Sequence, residues 1–515
     1  MSLYPPHLSP VGFRKLLQFF TSTHPDQLDS QGHHLAWDWA VHYHLSTVRH
    51  NLLKPFHGLL ANRFVLEVGA GSGLITRQLA QWARQVVALE PDARLLQLAR
   101  LRTRDLSNVD WQQTPWTKFA PERLFDVVVV PDGLPEQWEW LLERAYTWLA
   151  PHGCLLLATP NPWGLRHQRR YGGPSPNQKL IQMAQNRGFA EAQIYLPFPS
   201  HRLPGNLITP QGLTDPRFKV GELVMMQGYL DRRQPPVTGQ VAAHKWLKAF
   251  EQGIGAEVAN SFLLVAYREQ PPSPSGDELL AYHYQRWGPE VTRFVRDRSG
   301  GLWVQKTLSD AAPMSHPYLQ GKLLMAHLAL QLGDSRHPEV VLAQFTTTYF
   351  NILKQLSGLR HPSVSLDQPV HSSLVDAHPG NIVVDGTGEP HCIDEVNTHE
   401  IPSLGVVLLR GLITAASDLP FPSRWPQWVS LEGYLAKVLI RAGLFENRAA
   451  FGAYLKHNNL SIPRTRVQLV PADAAMPPLL RSLARVTWKA HDLAVALVAE
   501  RPGLKRIFWQ LVGKN

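Results

Sequence analysis

Residues 65–73 read Val-Leu-Glu-Val-Gly-Ala-Gly-Ser-Gly, an apolar run that passes straight into a glycine-rich turn. Such a run is the mark of a strand buried on both faces, and glycines at its end let a ligand approach the backbone closely. From residue 64 to about residue 160, the apolar segments FVLEVGA, QVVALE, FDVVVVP and CLLLATP alternate with amphipathic helical stretches. That alternation predicts an α/β fold, a parallel sheet with helices on both faces. Residues 1–60 read as helical, and SFLLVAYRE (261–269) is expected to return and close the sheet.

A chain of 515 residues is too long for one core, so two or three domains are expected. With 44% hydrophobic and 18% charged residues, disorder is excluded. The net charge of +10 favours anionic partners, but Lys and Arg are dispersed, and no nucleic-acid partner is expected. Cys154 and Cys392 each sit in an apolar run. They read as unpaired thiols, which suits a reducing cytoplasm. No stretch reaches the ~18–20 apolar residues that span a bilayer, and the first residues lack a signal-peptide layout. A cytoplasmic protein is expected.

Strand, glycine turn and helix N-terminus together form a nucleotide-binding arrangement. A dinucleotide fold wants G-x-G-x-x-G, but Leu74 and Thr76 stand where its third glycine would fall, counted from Gly69 or Gly71. Glu67, Gly69, Gly71 and Gly73 instead match E-x-G-x-G-x-G, the pattern of S-adenosylmethionine (SAM) enzymes. The turn is expected to be too crowded for a Cβ at any of the three glycines. Glu90 ends the second strand, where a carboxylate can take both ribose hydroxyls. The stretch NVDWQQTPW lacks the usual acid near adenine, leaving Trp116 or backbone groups for that contact.

A second arrangement lies some 300 residues further on. In LVDAHPGN, Asp376 and Asn381 have the separation of base and metal ligand in a kinase catalytic loop, and Asp394 ends the following strand, HCID. Asp376 could accept a hydroxyl proton, while Asn381 and Asp394 offer hard oxygens to Mg2+. Lys306, in LWVQKTL, is the candidate for the lysine that meets ATP phosphates. No glycine-rich loop precedes it, Ser299-Gly300-Gly301 being only a hairpin turn. Residues 318–321 follow so soon that the helix bearing a partner glutamate is shortened or missing.

Weaker signals are read blandly. His33, His34, His42 and His44 lack zinc spacing, and Trp138 and Trp140 read as core and rim rather than as a glycan platform. Arg166, His167, Arg169 and Arg170 form a basic loop over the expected acceptor side. Residues 504–512 form an amphipathic segment that would pack on the second domain or touch a membrane surface.

Residues 43–55, the glycine-turn region, 98–109, NPWGL (161–165), 195–208 and NSFLLVAYRE together resemble a bacterial polysaccharide methyltransferase family, its bifunctional methyltransferase–kinases that terminate O-antigen chains above all. DAHPGNIVVD resembles the catalytic loop of aminoglycoside-phosphotransferase-like kinases, with Leu374 where those have a first histidine. The resemblance implies a class I SAM methyltransferase domain with N-terminal helices over 1–269. A linker over 270–276 and a two-lobed α+β kinase-like domain over 277–515 follow. It further implies SAM, ATP and Mg2+ as cofactors and a glycan or lipid-linked glycan acceptor, with glycan-assembly proteins as further partners. In those relatives the kinase product is the methylation substrate. Two alternatives stay open: a kinase-like domain that only scaffolds, and a small-molecule tailoring methyltransferase. For a sugar hydroxyl acceptor a base is needed, and His201 and His44 are the nearest candidates.

Overall fold

The computed structural model describes residues 8–31, 39–165, 175–228, 239–271, 276–285, 290–307, 314–335, 337–359, 361, 364–394, 401–418, 422–423, 427–462 and 466–471. His33, His34, the basic loop at 166–170 and the segment 504–512 lie outside these residues. The described residues divide into two compact units, 8–220 with 253–318, and 221–252 with 319–471.

The first unit is built on one sheet. Its strands are β1 (Phe64–Val68), β2 (Gln85–Leu89), β3 (Val109–Gln112), β4 (Phe125–Val130), β5 (Leu149–Pro160), β6 (Glu191–Phe198), β7 (Asn206–Ile208), β8 (Ser261–Tyr267), β9 (Glu278–Tyr284), β10 (Val291–Arg296), β11 (Leu302–Thr307) and β12 (Met314–Pro317). They run in the order β12-β11-β10-β9-β7-β6-β8-β5-β4-β1-β2-β3. The segment β3-β2-β1-β4-β5 is parallel, with Leu66 opposite Val87 on one side and Val128 on the other. β1, β4 and β8 are almost wholly buried, which is why their sequences are continuously apolar and do not alternate.

The return of SFLLVAYRE is as expected: β8 pairs antiparallel with β5. It does not close the sheet. β6 pairs on its other side, β7 follows, and β9 joins β7 through Asn206–His283 and Ile208–Ala281. The hairpin read in the sequence forms between β10 and β11, turning at Gly300 with φ 86. These strands, expected beyond a linker, extend the first unit's sheet. Residues 272–275 of that linker are outside the described residues.

Helices cover the sheet. α1 (Pro10–Ser22) starts at Ser9, whose hydroxyl accepts from Gly12 N–H, with proline in the first turn. α2 (Trp39–Leu45), α3 (Leu74–Trp82), α4 (Ala93–Arg102), α5 (Trp138–Trp148) and α6 (Pro176–Asn186) follow. α3 begins directly after Gly73, and Asp92 caps α4 by accepting from the N–H groups of Arg94 and Leu95.

In the second unit, α7 (Val220–Gly228) and α8 (Gly239–Glu251) precede the three-stranded sheet of β13 (Lys322–Leu323), β14 (Ile382–Val384) and β15 (Pro390–Cys392). The helices α9 (Leu324–Asp334), α10 (Pro338–Leu356), α11 (Leu404–Asp418), α12 (Leu431–Arg441) and α13 (Arg448–His457) belong to it, as does a second three-stranded sheet of β16 (Pro422–Ser423), β17 (Gln427–Ser430) and β18 (Arg466–Pro471). One core runs through Met225, Leu247, Met325, Leu328, Tyr349, Ile382, Leu408 and Leu439. No helix among the described residues is long and apolar enough to cross a membrane.

Candidate functional site

Strand order reverses at β1, whose neighbours are β2 on one side and β4 on the other, and ligands of open α/β sheets bind outside the strand ends at such a point. The glycine turn lies there. Gly69, Gly71 and Gly73 have φ values of 81, 60 and 77, the left-handed region that a side chain resists. Gly69 and Ala70 both donate their N–H groups to the carbonyl of Leu89, tying the turn to the end of β2. The expected crowding is confined to Gly73, where a Cβ would lie 2.9 Å from the Ala99 Cα of α4. At Gly69 and Gly71 a Cβ would meet nothing within 4 Å, so backbone conformation alone requires glycine there.

Glu90 is buried beside the turn, its Oε2 accepting from Gly71 N–H at 2.7 Å and its Oε1 from Asp92 N–H at 2.8 Å. Burial raises its pKa from the ordinary value, against the pull of those two bonds. Glu67 is completely buried, and neither of its carboxylate oxygens has a hydrogen-bond partner. Burial pushes this carboxyl up to about 7, with the Thr76 hydroxyl and the Arg49 charge opposing and Glu90 adding to the rise. Such a group is costly unless something completes it. Trp116 is half-buried in a short helical turn, Trp116–Lys118. The sequence-derived set Glu67, Gly69, Gly71, Gly73 and Glu90 is therefore one cluster.

The turn is also held from outside. Ser72 Oγ meets His44 Nδ1 at 3.0 Å and accepts from Arg102 Nη1 at 3.1 Å, while Arg102 Nη2 donates to the His44 carbonyl at 2.9 Å. Arg102, fully buried, rests on the Phe20 ring of α1 at 4.6 Å. The N-terminal helices thus brace the turn.

At the end of β4, Asp132 anchors a buried network. Arg202 donates to it from Nε at 2.7 Å and Nη2 at 3.0 Å, His201 Nε2 lies 2.8 Å away, and the Tyr43 hydroxyl donates at 3.3 Å. Burial alone would raise the Asp132 carboxyl, but Arg202 and His201 hold it well below the usual carboxylate range. His201 Nδ1 meets Ser261 Oγ at 2.9 Å. Both ring nitrogens of His201 are therefore engaged, which removes it as the base for a hydroxyl acceptor, and His44 Nδ1 is likewise engaged with Ser72. Asp132, Arg202, Tyr43 and Arg49 were missed in the sequence. The available signal was an aspartate at the C-terminal end of a buried strand, where ligand-facing residues gather.

The residues that the sequence offered for ATP and Mg2+ divide between the units. Lys306 stands on β11 of the first unit, level with Thr292 and His283. Burial, then the Lys306 charge, pushes the His283 imidazole down to about 4. Asp376, Asn381 and Asp394 are in the second unit. Asn381 Nδ2 donates to the Asp376 carbonyl at 3.1 Å and to its Oδ2 at 3.2 Å, bonds in which the Asn381 side-chain oxygen takes no part. Ile393 N–H donates to the Asn381 carbonyl at 2.9 Å, bringing Asp394 alongside. The loop is pinned by Tyr349 of α10, whose hydroxyl donates to the Ala377 carbonyl at 2.7 Å. Oxygen donors from Asn381 and Asp394 suit Mg2+. Among the described residues, the carboxylate and imidazole atoms of Asp385, Glu389 and His391 also lie within 4.8 Å of one another. There Asp385 Oδ1 is occupied by its own turn, accepting from Thr387 N–H, Thr387 Oγ1 and Glu389 N–H.

Comparison with known proteins bears on the first unit. Residues 65–153 match a family model described as a methyltransferase domain. The demethylmenaquinone methyltransferase of Tropheryma whipplei (strain Twist) is 34% identical over 73 residues, 14% of this chain and 30% of that protein. The same protein of strain TW08/27 matches equally. The chain thus spans about three-tenths of the length of the curated relatives it matches. Among solved structures, the N-methyltransferase NodS of Bradyrhizobium japonicum WM9 is 16% identical, with a TM-score of 0.27 over 43% of this chain and 94% of that one. A phosphoethanolamine N-methyltransferase of Haemonchus contortus is also 16% identical, with a TM-score of 0.29 over 48% and 61%. The sheet order, the glycine turn and the family match together place a SAM-dependent methyltransferase domain in residues 65–153.

Proposed function

We propose that the chain transfers a methyl group from SAM to an acceptor on a bacterial surface polysaccharide or its lipid-linked precursor. The observation that carries methyl transfer is the turn of three left-handed glycines at the strand-order reversal, with Glu67 behind it and Glu90 beside it. SAM, when bound, supplies an electrophilic methyl group on a sulfonium. Glu90 keeps lone pairs for ribose hydroxyls beyond the two backbone bonds it accepts. The polysaccharide acceptor rests on the sequence resemblance of residues 43–55, 98–109, 161–165 and 195–208.

In the same proposal, the second unit phosphorylates the acceptor before methylation. Asp376 would receive the acceptor's hydroxyl proton, and Asn381 and Asp394 would hold Mg2+. The hydrogen-bonded pair of Asp376 and Asn381 supports this. So does the engagement of His201 on both nitrogens, because a phosphate oxygen is already anionic and needs no base.

The test incubates the full chain with labelled SAM, ATP, Mg2+ and a lipid-linked glycan acceptor. Methyl label should enter the acceptor only with ATP present, and Asp376→Asn should stop it. A pre-phosphorylated acceptor should restore methylation in that variant. Label entering an unphosphorylated acceptor without ATP would overturn the serial order and leave a hydroxyl methyltransferase with a second unit of other use.

A further inference from the structure

Left-handed glycines at 69, 71 and 73 leave the turn a wide choice of backbone conformations, so its shape is set by what it touches. Ser72 carries the one polar side chain of Gly69-Ala70-Gly71-Ser72-Gly73, and it is fully buried. Arg102 Nη1 donates to the Ser72 carbonyl and to its Oγ, each at 3.1 Å, and His44 Nδ1 lies 3.0 Å from the same Oγ. Arg102 is itself fully buried, a costly placement for a guanidinium unless its donors meet good acceptors.

The other partners of this clamp belong to the N-terminal helices. Arg102 Nη2 donates to the His44 carbonyl of α2, and its guanidinium rests on the Phe20 ring of α1. Two more arginines fasten the same segment. Arg104 donates to the carbonyls of Phe20 and Thr23, at 2.7 and 2.8 Å, where α1 ends. Arg77 of α3 pairs with Asp26, just beyond α1, and with Asp105 at 2.7 Å. Among the described residues, the Arg102 guanidinium is the one of these three that reaches the turn. Phe20 and His44 both precede the residues that match the methyltransferase model, 65–153. The clamp therefore ties the turn to a segment outside that match.

We propose that Arg102 is a positioning residue of the cofactor site. Acting with His44 on Ser72, it holds the glycine turn in its cofactor-ready shape and makes SAM affinity depend on the docked N-terminal helices. This rests on the reading of the glycine turn as the SAM site. Coupling between two parts of a molecule is reciprocal, so a bound cofactor tightens α1 and α2 in return.

Calorimetry with S-adenosylhomocysteine tests this on the full chain, at a temperature where thermal melts show the variants folded. Arg102→Met should weaken binding roughly 5- to 150-fold, the usual span of such a coupling. Arg102→Lys, which keeps a cationic donor, should fall between that variant and wild type, and Ser72→Ala should also lose affinity. The double variant Ser72→Ala with Arg102→Met should lose less than the product of the two single losses, because Arg102 acts through Ser72. Wild-type affinity in both Ser72→Ala and Arg102→Lys, or losses that simply multiply, would overturn the role; these two milder variants carry the test if Arg102→Met does not fold. Hydrogen exchange adds a readout that lost stability alone would not move. Saturating S-adenosylhomocysteine should slow exchange across α1 in the wild type and do so far less in Ser72→Ala. Exchange in α1 that ignores the ligand in the wild type would overturn the coupling while the SAM site stands. A wild-type chain that binds no S-adenosylhomocysteine would overturn the SAM reading, and this inference with it.

Discussion

At the scale of single residues, the site holds a carboxyl whose burial is costly to the fold. Glu67 ionises near 4.5 when exposed and about 7 when folded, chiefly through burial. Between those values the folded protein keeps a proton that the unfolded chain has lost, so stability falls as pH rises through this window and the loss is complete above it. The whole difference is roughly 3 kcal/mol at most. Glu67→Gln should flatten the pH dependence, leaving the variant relatively more stable at pH 8 than at pH 5, while weakening SAM binding; urea denaturation at both pH values reads this. An unchanged pH dependence would mean that Glu67 is solvated or paired. The glycines differ from one another in a way the sequence could not foresee. Gly69→Ala should cost about 1 kcal/mol for its backbone conformation alone, whereas Gly73→Ala adds a clash with Ala99 and should cost clearly more in the same measurement. The glycines, Glu67 and Glu90 were legible because a turn and a strand end are local events. Asp132 and Arg202 were not, because their bond joins positions 70 residues apart.

Among the elements, local chemistry was again legible and long-range pairing was not. The β10–β11 and β14–β15 hairpins follow from their turn residues, Gly300 and Gly388 both having positive φ. Nothing in a hairpin says which sheet it joins, and β9 joins β7 through three residue pairs of a strand too short to stand out in sequence. The loop with Asp376 shows the same limit: its motif is readable, but its anchor is Tyr349, 28 positions earlier. Tyr349 sits under Gly411 of α11, where a Cβ would lie 1.9 Å from its hydroxyl oxygen. Tyr349→Phe should cost about 1–3 kcal/mol, since the Ala377 carbonyl is left without its donor. If the second unit transfers phosphate, that rate should fall further than stability alone explains. Thermal melts and labelled-ATP assays on the same preparation separate the two effects. Stability equal to wild type would show that the carbonyl finds another donor.

For the whole molecule, the two units interleave in sequence. The chain leaves the first unit after Val220, forms α7 and α8 in the second, and returns at Gly253 for β8 to β12. Met225 and Leu247 from α7 and α8 belong to the same core as Leu324, Tyr349 and Leu408. Cutting within residues 270–276 would therefore deprive a C-terminal fragment of part of its core. Residues 277–515 alone should melt well below the full chain, and adding 221–252 as a separate peptide should recover part of the loss, as read by calorimetry. A fragment as stable as the parent would refute the shared core. The interleaving also sets an order of events on the ribosome. Synthesis runs at about 5–20 residues per second, so the helices that end near residue 252 wait roughly 3–14 seconds before residue 319 even appears. During that interval the residues that complete their core, Leu324, Tyr349 and Leu408 among them, have not yet been made, and apolar faces exposed on a nascent chain are open to aggregation.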